Sequence, residues 1–306
     1  MYDLIIIGGG PAGAAAGVYA ARKKLNTLLI TEEFGGQSKV SEDIQNWIGT
    51  TSISGIELAK NLKQHVEEYA GDALEIKELD KVTSVKKDGE GFSVSTENGD
   101  EYKTKTVLAA AGSHRRKLPV PGAEEFDNKG LTYCASCDGP LFAGKDVVVV
   151  GGGNAGFETA AQLLAYTKSV TLLHRSAKFR ATPITVEKIL ADEKMKAITE
   201  VEILEVKGDK MVNAIVYKDK EGNDVELPTS GIFVEIGQIP TTGFIKDAVE
   251  TNEYNQIVID PWTQKTSTPG IWAAGDSTNI RYHQNNIAVG DAVKAVEDIY
   301  VTLRTS

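Results

Sequence analysis

The chain has only two cysteines among 306 residues, and they stand three positions apart as Cys134 and Cys137. A disulfide across so short a loop removes only about 2 kcal/mol of unfolded-chain entropy, so a structural staple is a poor explanation for the pair. Long apolar runs are missing too. Leu4 to Ile7 and Val147 to Val150 fall far short of the roughly eighteen residues a membrane helix needs, so a soluble protein without membrane association is expected. Basic residues are outnumbered, 33 Lys and Arg against 43 Asp and Glu, and a net charge of -10 would repel a nucleic acid. The N-terminus carries no basic stretch and no small-residue cleavage site, so a cytoplasmic location is expected.

What is present is a globular composition, 41% hydrophobic and 25% charged with 30 glycines, in a chain long enough for two domains. One supersecondary pattern occurs twice. Leu4 to Ile7 is followed by Gly8-Gly9-Gly10-Pro11-Ala12-Gly13 and the alanine-rich Ala14 to Arg22, which reads as strand, tight turn and helix. Val147 to Val150 is followed by Gly151-Gly152-Gly153-Asn154-Ala155-Gly156 and a second helix over Phe157 to Tyr166. Further apolar runs, Thr27 to Ile30 and Ser169 to Leu173, complete two βαβ units. Turn-punctuated strands trail each unit: Gly91 to Thr96 and Lys105 to Ala110 after the first, Met211 to Tyr217 and Val225 to Glu235 after the second. The first set reads as a sheet inserted into its domain. The expected class is α/β, with two Rossmann-like dinucleotide-binding domains.

A glycine-rich turn between strand and helix aims backbone N–H groups and the positive end of the helix dipole at a pyrophosphate. Gly8 and Gly151 would make the tight turn, Gly10 and Gly153 would let phosphate approach, and Gly13 and Gly156 would let helix pack on strand. Two such loops suggest one flavin dinucleotide and one nicotinamide dinucleotide, with hydride transfer between them. About twenty residues beyond Gly13, Glu32 and Glu33 stand where an acid accepts hydrogen bonds from adenosine ribose hydroxyls, and solvated surface glutamates are the alternative. The second unit has no acid there. It has His174-Arg175-Ser176 and Arg180, cations suited to a 2′-phosphate, so NADPH is favoured over NADH.

A Cys-x-x-Cys pair is either half of a zinc site or a redox dithiol. Zinc needs two more ligands, and with His65, His114, His174 and His283 scattered no four-ligand metal site is expected. The dithiol reading stands, with one thiolate attacking a disulfide and the other resolving the mixed disulfide. Asp138 could move a proton to or from thiol or flavin, or only cap a helix that begins there.

Three segments carry a resemblance to low-molecular-weight thioredoxin reductases: Val147 to Gly156, Cys134-Ala135-Ser136-Cys137-Asp138-Gly139, and Thr268 to Asp276. The chain is also similar to the flavoprotein subunit of alkyl hydroperoxide reductase in Phe34 to Gln37, Cys137 to Phe142 and Gly231 to Val234. That subunit has an additional N-terminal thioredoxin-like region, whereas this sequence starts at its FAD motif, so delivery of electrons to a separate protein is expected. The resemblance implies a three-layer ββα FAD/NAD(P)-binding fold with a discontinuous FAD domain (1–112 and 245–306) and an NAD(P)H domain (113–244) inserted into it. It implies that Gln37 and Asn46 contact the flavin side, that Asp276 binds the ribityl or phosphate region, and that Gln284 lies near the isoalloxazine. Cys137 would be the thiolate facing the flavin and Cys134 the attacker of a thioredoxin-like or glutaredoxin-like disulfide protein, in a homodimer whose nicotinamide domain rotates. Some positions depart from the family. Ser176 replaces a phosphate-binding arginine, His283 and Asn285 flank Gln284 in place of arginine and alanine, and Ala111 replaces a threonine. A lost charge-assisted contact costs about 1.5 to 3 kcal/mol, more than tenfold in affinity. NADH is therefore a competing donor, and the NAD(P)H-independent alternative is a reductase that takes electrons from ferredoxin, or a thiol oxidase that runs backward using oxygen. A redox-sensing or scaffold protein that merely holds a dinucleotide is the non-catalytic alternative.

Overall fold

Leu4, Ile5, Ile6 and Ile7 are all buried, because the strand Tyr2–Gly9 has protein on both faces. Successive side chains point to opposite sides of a strand, so Leu4 and Ile6 join one core while Ile5 and Ile7 join another. The first core lies under the helices Pro11–Arg22 and Asn285–Thr305, where Ala16, Ala20, Ala288 and Ala292 let the two helices pack closely on the sheet. The second lies under an antiparallel layer that contributes Val82, Val85, Phe92 and Val94. Three layers result, in the order antiparallel strands, parallel strands, helices.

The computed structural model describes residues 1–41 and 44–305; the side chains of residues 40, 136 and 137 lie outside the described part. Two compact units are present, Met1–His114 with Ile239–Ser306, and Arg115–Gln238. In the first, parallel strands run in the order Leu74–Glu78, Thr27–Phe34, Tyr2–Gly9, Glu101–Ala109. The strands Val82–Asp88 and Gly91–Thr96 do not form a separate inserted sheet. They continue the main one, because Glu101–Ala109 is long enough to be shared: residues 101–104 pair with Gly91–Thr96, and Val107 to Ala109 pair with Ile271–Ala273. That second pairing returns the C-terminal segment to the N-terminal βαβ unit.

The second unit repeats the plan. Its parallel sheet runs Met195–Ile198, Ser169–Leu173, Asp146–Val150, Gly231–Val234, Leu131–Thr132. Val147, Val149 and Leu172 face the helix Asn154–Leu164, whereas Val148, Val150 and Leu173 face the antiparallel strands Glu202–Gly208, Val212–Lys218 and Asp224–Pro228. The stretch Val225 to Glu235 therefore divides: Asp224–Pro228 belongs to the antiparallel layer and Gly231–Val234 to the parallel sheet. Pro228 closes the first strand, and the Thr229 hydroxyl bonds to the Asp146 and Gly231 carbonyls as the chain changes layer.

Candidate functional site

The two glycine loops match contact for contact. Gly8 and Gly151 both have positive φ, 111° and 128°, which favours glycine. A Cβ on Gly8 would lie 2.4 Å from the Ala110 carbonyl oxygen, and one on Gly151 would lie 2.2 Å from that of Glu235. The third glycine packs on the first in each loop: a Cβ on Gly13 would stand 1.8 Å from the Gly8 oxygen, and one on Gly156 would stand 1.9 Å from the Gly151 oxygen. Gly10 and Gly153 are different, since a Cβ there meets nothing within 4 Å. Their freedom serves the space in front of the loop and not the packing behind it. Each is also the N-cap of its helix and offers no side-chain cap, unlike Ser54, whose hydroxyl accepts from the Glu57 N–H. Helix N-termini without a side-chain cap fit an incoming phosphate.

In the first unit this loop opens onto a cavity of about 650 Å³, the scale of a cofactor site. Gly8, Gly10, Glu32, Gln37 and Asp276 line it, and so do Glu33, Ala111 and Asn285. Gly13 packs behind the loop. Glu32 sits near the end of the strand Thr27–Phe34 with Lys81 Nζ 3.6 Å from its carboxylate, while Glu33 pairs with Lys39. Asn46 and Gln284 are joined by a 2.9 Å hydrogen bond, and Asn286 Nδ2 donates to the Asn46 carbonyl at 2.7 Å. Asp276 Oδ1 lies 3.6 Å from His283 Nδ1, a buried nitrogen with no hydrogen-bond partner among the described residues. Asn46 and Gln284 are not among the residues that line the cavity; the cavity and its loop fit a flavin dinucleotide.

In the second unit His174 does a different job from the one its basic neighbours suggest. Its ring is buried, Nδ1 accepts from the Gly152 N–H at 3.1 Å, and Nε2 lies 3.1 Å from the Lys178 carbonyl. An imidazole held this way, with a backbone partner at each ring nitrogen, braces the loop. Arg175 and Arg180 are exposed and have no ion-pair partner among the described residues; the Arg180 N–H donates to the Gly152 carbonyl, tying that residue to the loop.

Cys134 is half-buried and disulfide-bonded, in extended backbone that leads into the short helix Ala135–Asp138. The Cys137 side chain lies outside the described residues. Thr132 was not marked by any sequence pattern, yet its hydroxyl donates to the Asp138 carboxylate and lies 3.4 Å from the Cys134 N–H. Asp138 ends this helix instead of capping one: the turn Gly139–Phe142 that follows receives no side-chain cap from it. Glu235 was missed as well. It is buried at the end of Gly231–Val234, where Thr159 donates to Oε1 at 3.0 Å and Arg115 Nη1 lies 3.4 Å from Oε2. Burial pushes its carboxyl above the usual value, against the opposing pull of Arg115.

The profile of the pyridine nucleotide-disulphide oxidoreductase family matches residues 2–292. The chain belongs to that family. Flavin and pyridine nucleotide are the cofactors the family implies. Among curated relatives, the F subunit of alkyl hydroperoxide reductase from Pseudomonas aeruginosa is 41% identical over 296 residues, covering 96% of this chain and 57% of that protein. A Bacillus subtilis protein named NADH dehydrogenase is 38% identical, with 96% and 57% covered. The chain thus spans little more than half the length of these relatives. Solved thioredoxin reductases match along their whole length: that of Streptococcus pyogenes has a TM-score of 0.89 at 35% identity, covering 100% of this chain and 99% of that one. The enzyme of Giardia duodenalis has a TM-score of 0.90 at 31% identity, with 99% of both chains covered. Among the described residues no helix is long and apolar enough to cross a membrane.

Proposed function

We propose that this member of the family is an NADPH-dependent protein-disulfide reductase of the thioredoxin-reductase type. FAD is held in the cavity of the first unit, NADPH at the Gly151–Gly156 loop, and Cys134 with Cys137 relays electrons to a thioredoxin-like or glutaredoxin-like protein. In this reading residues 1–112 and 245–306 are the FAD domain, residues 113–244 are the nucleotide domain, and the protein works as a homodimer in the cytoplasm. The observation that carries it is the pair of stereochemically equivalent dinucleotide loops in one chain with a Cys134 disulfide.

A bound flavin would supply two-electron chemistry between a nicotinamide and the disulfide. The residues do the rest. Cys134, half-buried, attacks the partner's disulfide once reduced, and Cys137 displaces the partner's thiol from the mixed disulfide. Asp138 is positioned by Thr132 to take or return the proton that thiol and thiolate exchange. Gln37, Asn46, Asp276 and Gln284 orient the flavin, while Arg175 and Arg180 receive the 2′-phosphate.

A second reading changes only the donor. His174 is committed to the loop, Ser176 carries no charge, and one relative bears the name NADH dehydrogenase, all of which favour NADH. Anaerobic mixing of FAD-loaded protein with NADPH and NADH in parallel, followed by turnover on a panel of small disulfide proteins, tests both. Rapid bleaching of the flavin by NADPH and reduction of a thioredoxin-like substrate are expected. Bleaching by NADH alone would establish the second reading, and bleaching by neither would leave a ferredoxin-type donor.

A further inference from the structure

Glu235 is a buried carboxylate that the proposed mechanism does not use, and the internal repeat indicates where it stands. The first glycine of each loop packs against the residue that directly follows the neighbouring parallel strand: Gly8 against Ala110, Gly151 against Glu235. Glu235 is therefore the second unit's counterpart of Ala110, and Ala110 lines the cofactor cavity of the first. Strand order points the same way. Ser169–Leu173 and Met195–Ile198 lie on one side of Asp146–Val150 and Gly231–Val234 on the other, so the order reverses between the strands that end in Val150 and Val234. In open α/β sheets dinucleotides bind in the crevice outside the strand ends at such a switch point. Val234 pairs in register with Val150, which sets Gly151 and Glu235 side by side at that crevice.

The charges around the carboxylate are few. Arg115 Nη1 lies 3.4 Å from Oε2, a long contact that leaves that oxygen with accepting capacity, and Glu158, on the helix Asn154–Leu164, adds a second negative charge nearby. In a site this buried a charge acts over several ångströms with little screening.

We infer that Glu235 is a specificity-determining residue of the nucleotide site, which recognises the positive charge of the oxidised nicotinamide ring and so binds the oxidised nucleotide preferentially over an uncharged one. The inference rests on the reading of the second unit as the nucleotide domain. The chemistry it serves is hydride donation: the ring becomes cationic as it loses hydride, and a carboxylate placed there favours that form. In the first unit the equivalent Ala110 leaves the flavin without this influence.

The test measures binding and not turnover. Dissociation constants of NADP⁺ and of its hydride-inert tetrahydro analogue, whose ring is uncharged, are determined by equilibrium dialysis on FAD-loaded wild type, Glu235→Gln and Glu235→Ala, with the NAD pair run alongside. Glu235→Gln keeps an acceptor for Thr159, and Glu235→Ala installs the residue type the first unit tolerates at the equivalent place. Both variants are expected to bind the oxidised nucleotide about tenfold more weakly and the analogue within about twofold of wild type. Equal effects on the two ligands, or none, would overturn the inference while leaving the nucleotide site intact. Failure of wild type to bind any of the ligands would instead remove the reading beneath it.

Discussion

Asn46 Nδ2 donates to Gln284 Oε1 at 2.9 Å, across 238 positions of sequence. Sequence resemblance assigns both residues to the flavin separately; the structure makes them one unit, with Asn286 closing on the Asn46 carbonyl. The segment around Asn46 is thereby fastened to the start of the C-terminal helix. Asn46→Ala and Gln284→Ala should each weaken FAD retention several-fold, in line with about 1 kcal/mol for a neutral hydrogen bond. The double variant should be little worse than either single one. Equilibrium dialysis of FAD checks this, and fully additive losses would show that the bond plays no part in holding the cofactor.

The glycines of the first loop should separate by role. Gly13→Ala forces a Cβ to 1.8 Å from the Gly8 carbonyl oxygen, an overpacking on backbone that should cost about 1 to 3 kcal/mol or more even without cofactor. Gly10→Ala projects into open space and should leave the apo-protein's thermal unfolding nearly unchanged while FAD affinity falls. Unfolding of apo-protein and FAD titration of both variants distinguish the two. A Gly10→Ala protein that binds FAD normally would argue against phosphate approaching that glycine.

In the proposed reading, selection of NADPH rests on Arg175 and Arg180. Replacing either by alanine should raise the NADPH KM about tenfold and leave NADH nearly unaffected, because only NADPH has the phosphate. His174→Ala should behave differently. It removes the acceptor for the Gly152 N–H, so both nucleotides should suffer together. Parallel steady-state kinetics with the two donors give the answer.

Glu235 should also mark the stability of the protein against pH. Burial raises its folded-state pKa above the ordinary 4.5, with Arg115 opposing. A raised value means the fold prefers the protonated form: the contribution to stability is complete below 4.5 and is lost as pH rises through the folded-state value. Glu235→Gln stays neutral throughout. Its Tm should exceed that of wild type at about pH 8 and converge on it near about pH 4. A variant less stable than wild type at the higher pH would show that the Arg115 pairing outweighs the burial.

Local chemistry was legible in the sequence, and partnership over distance was not. The βαβ units could be read because an apolar run, a glycine turn and an alanine-rich helix are written in consecutive residues. The helix Gly55–Ala70 was not read from the sequence, although Ser54, three residues before Glu57, is a local signal that the structure turns into a cap. The sharing of Glu101–Ala109 between two strand partners left no local mark, since both pairings are made by chain distant in sequence. His174 looked cationic beside Arg175 because residue type does not reveal that both ring nitrogens have backbone partners. Glu235 ended a strand like many surface acids, and only its packing against Gly151 sets it apart.

The electron path itself is tested by counting equivalents. Anaerobic titration of the FAD-loaded protein with NADPH, and to completion with dithionite, should reduce wild type by two electron pairs, one for the flavin and one for the cysteine disulfide. A Cys134→Ser variant should accept one pair. Should wild type and variant both stop at a single pair, the cysteines would not communicate with the flavin, and the account of this chain as a disulfide reductase would be contradicted.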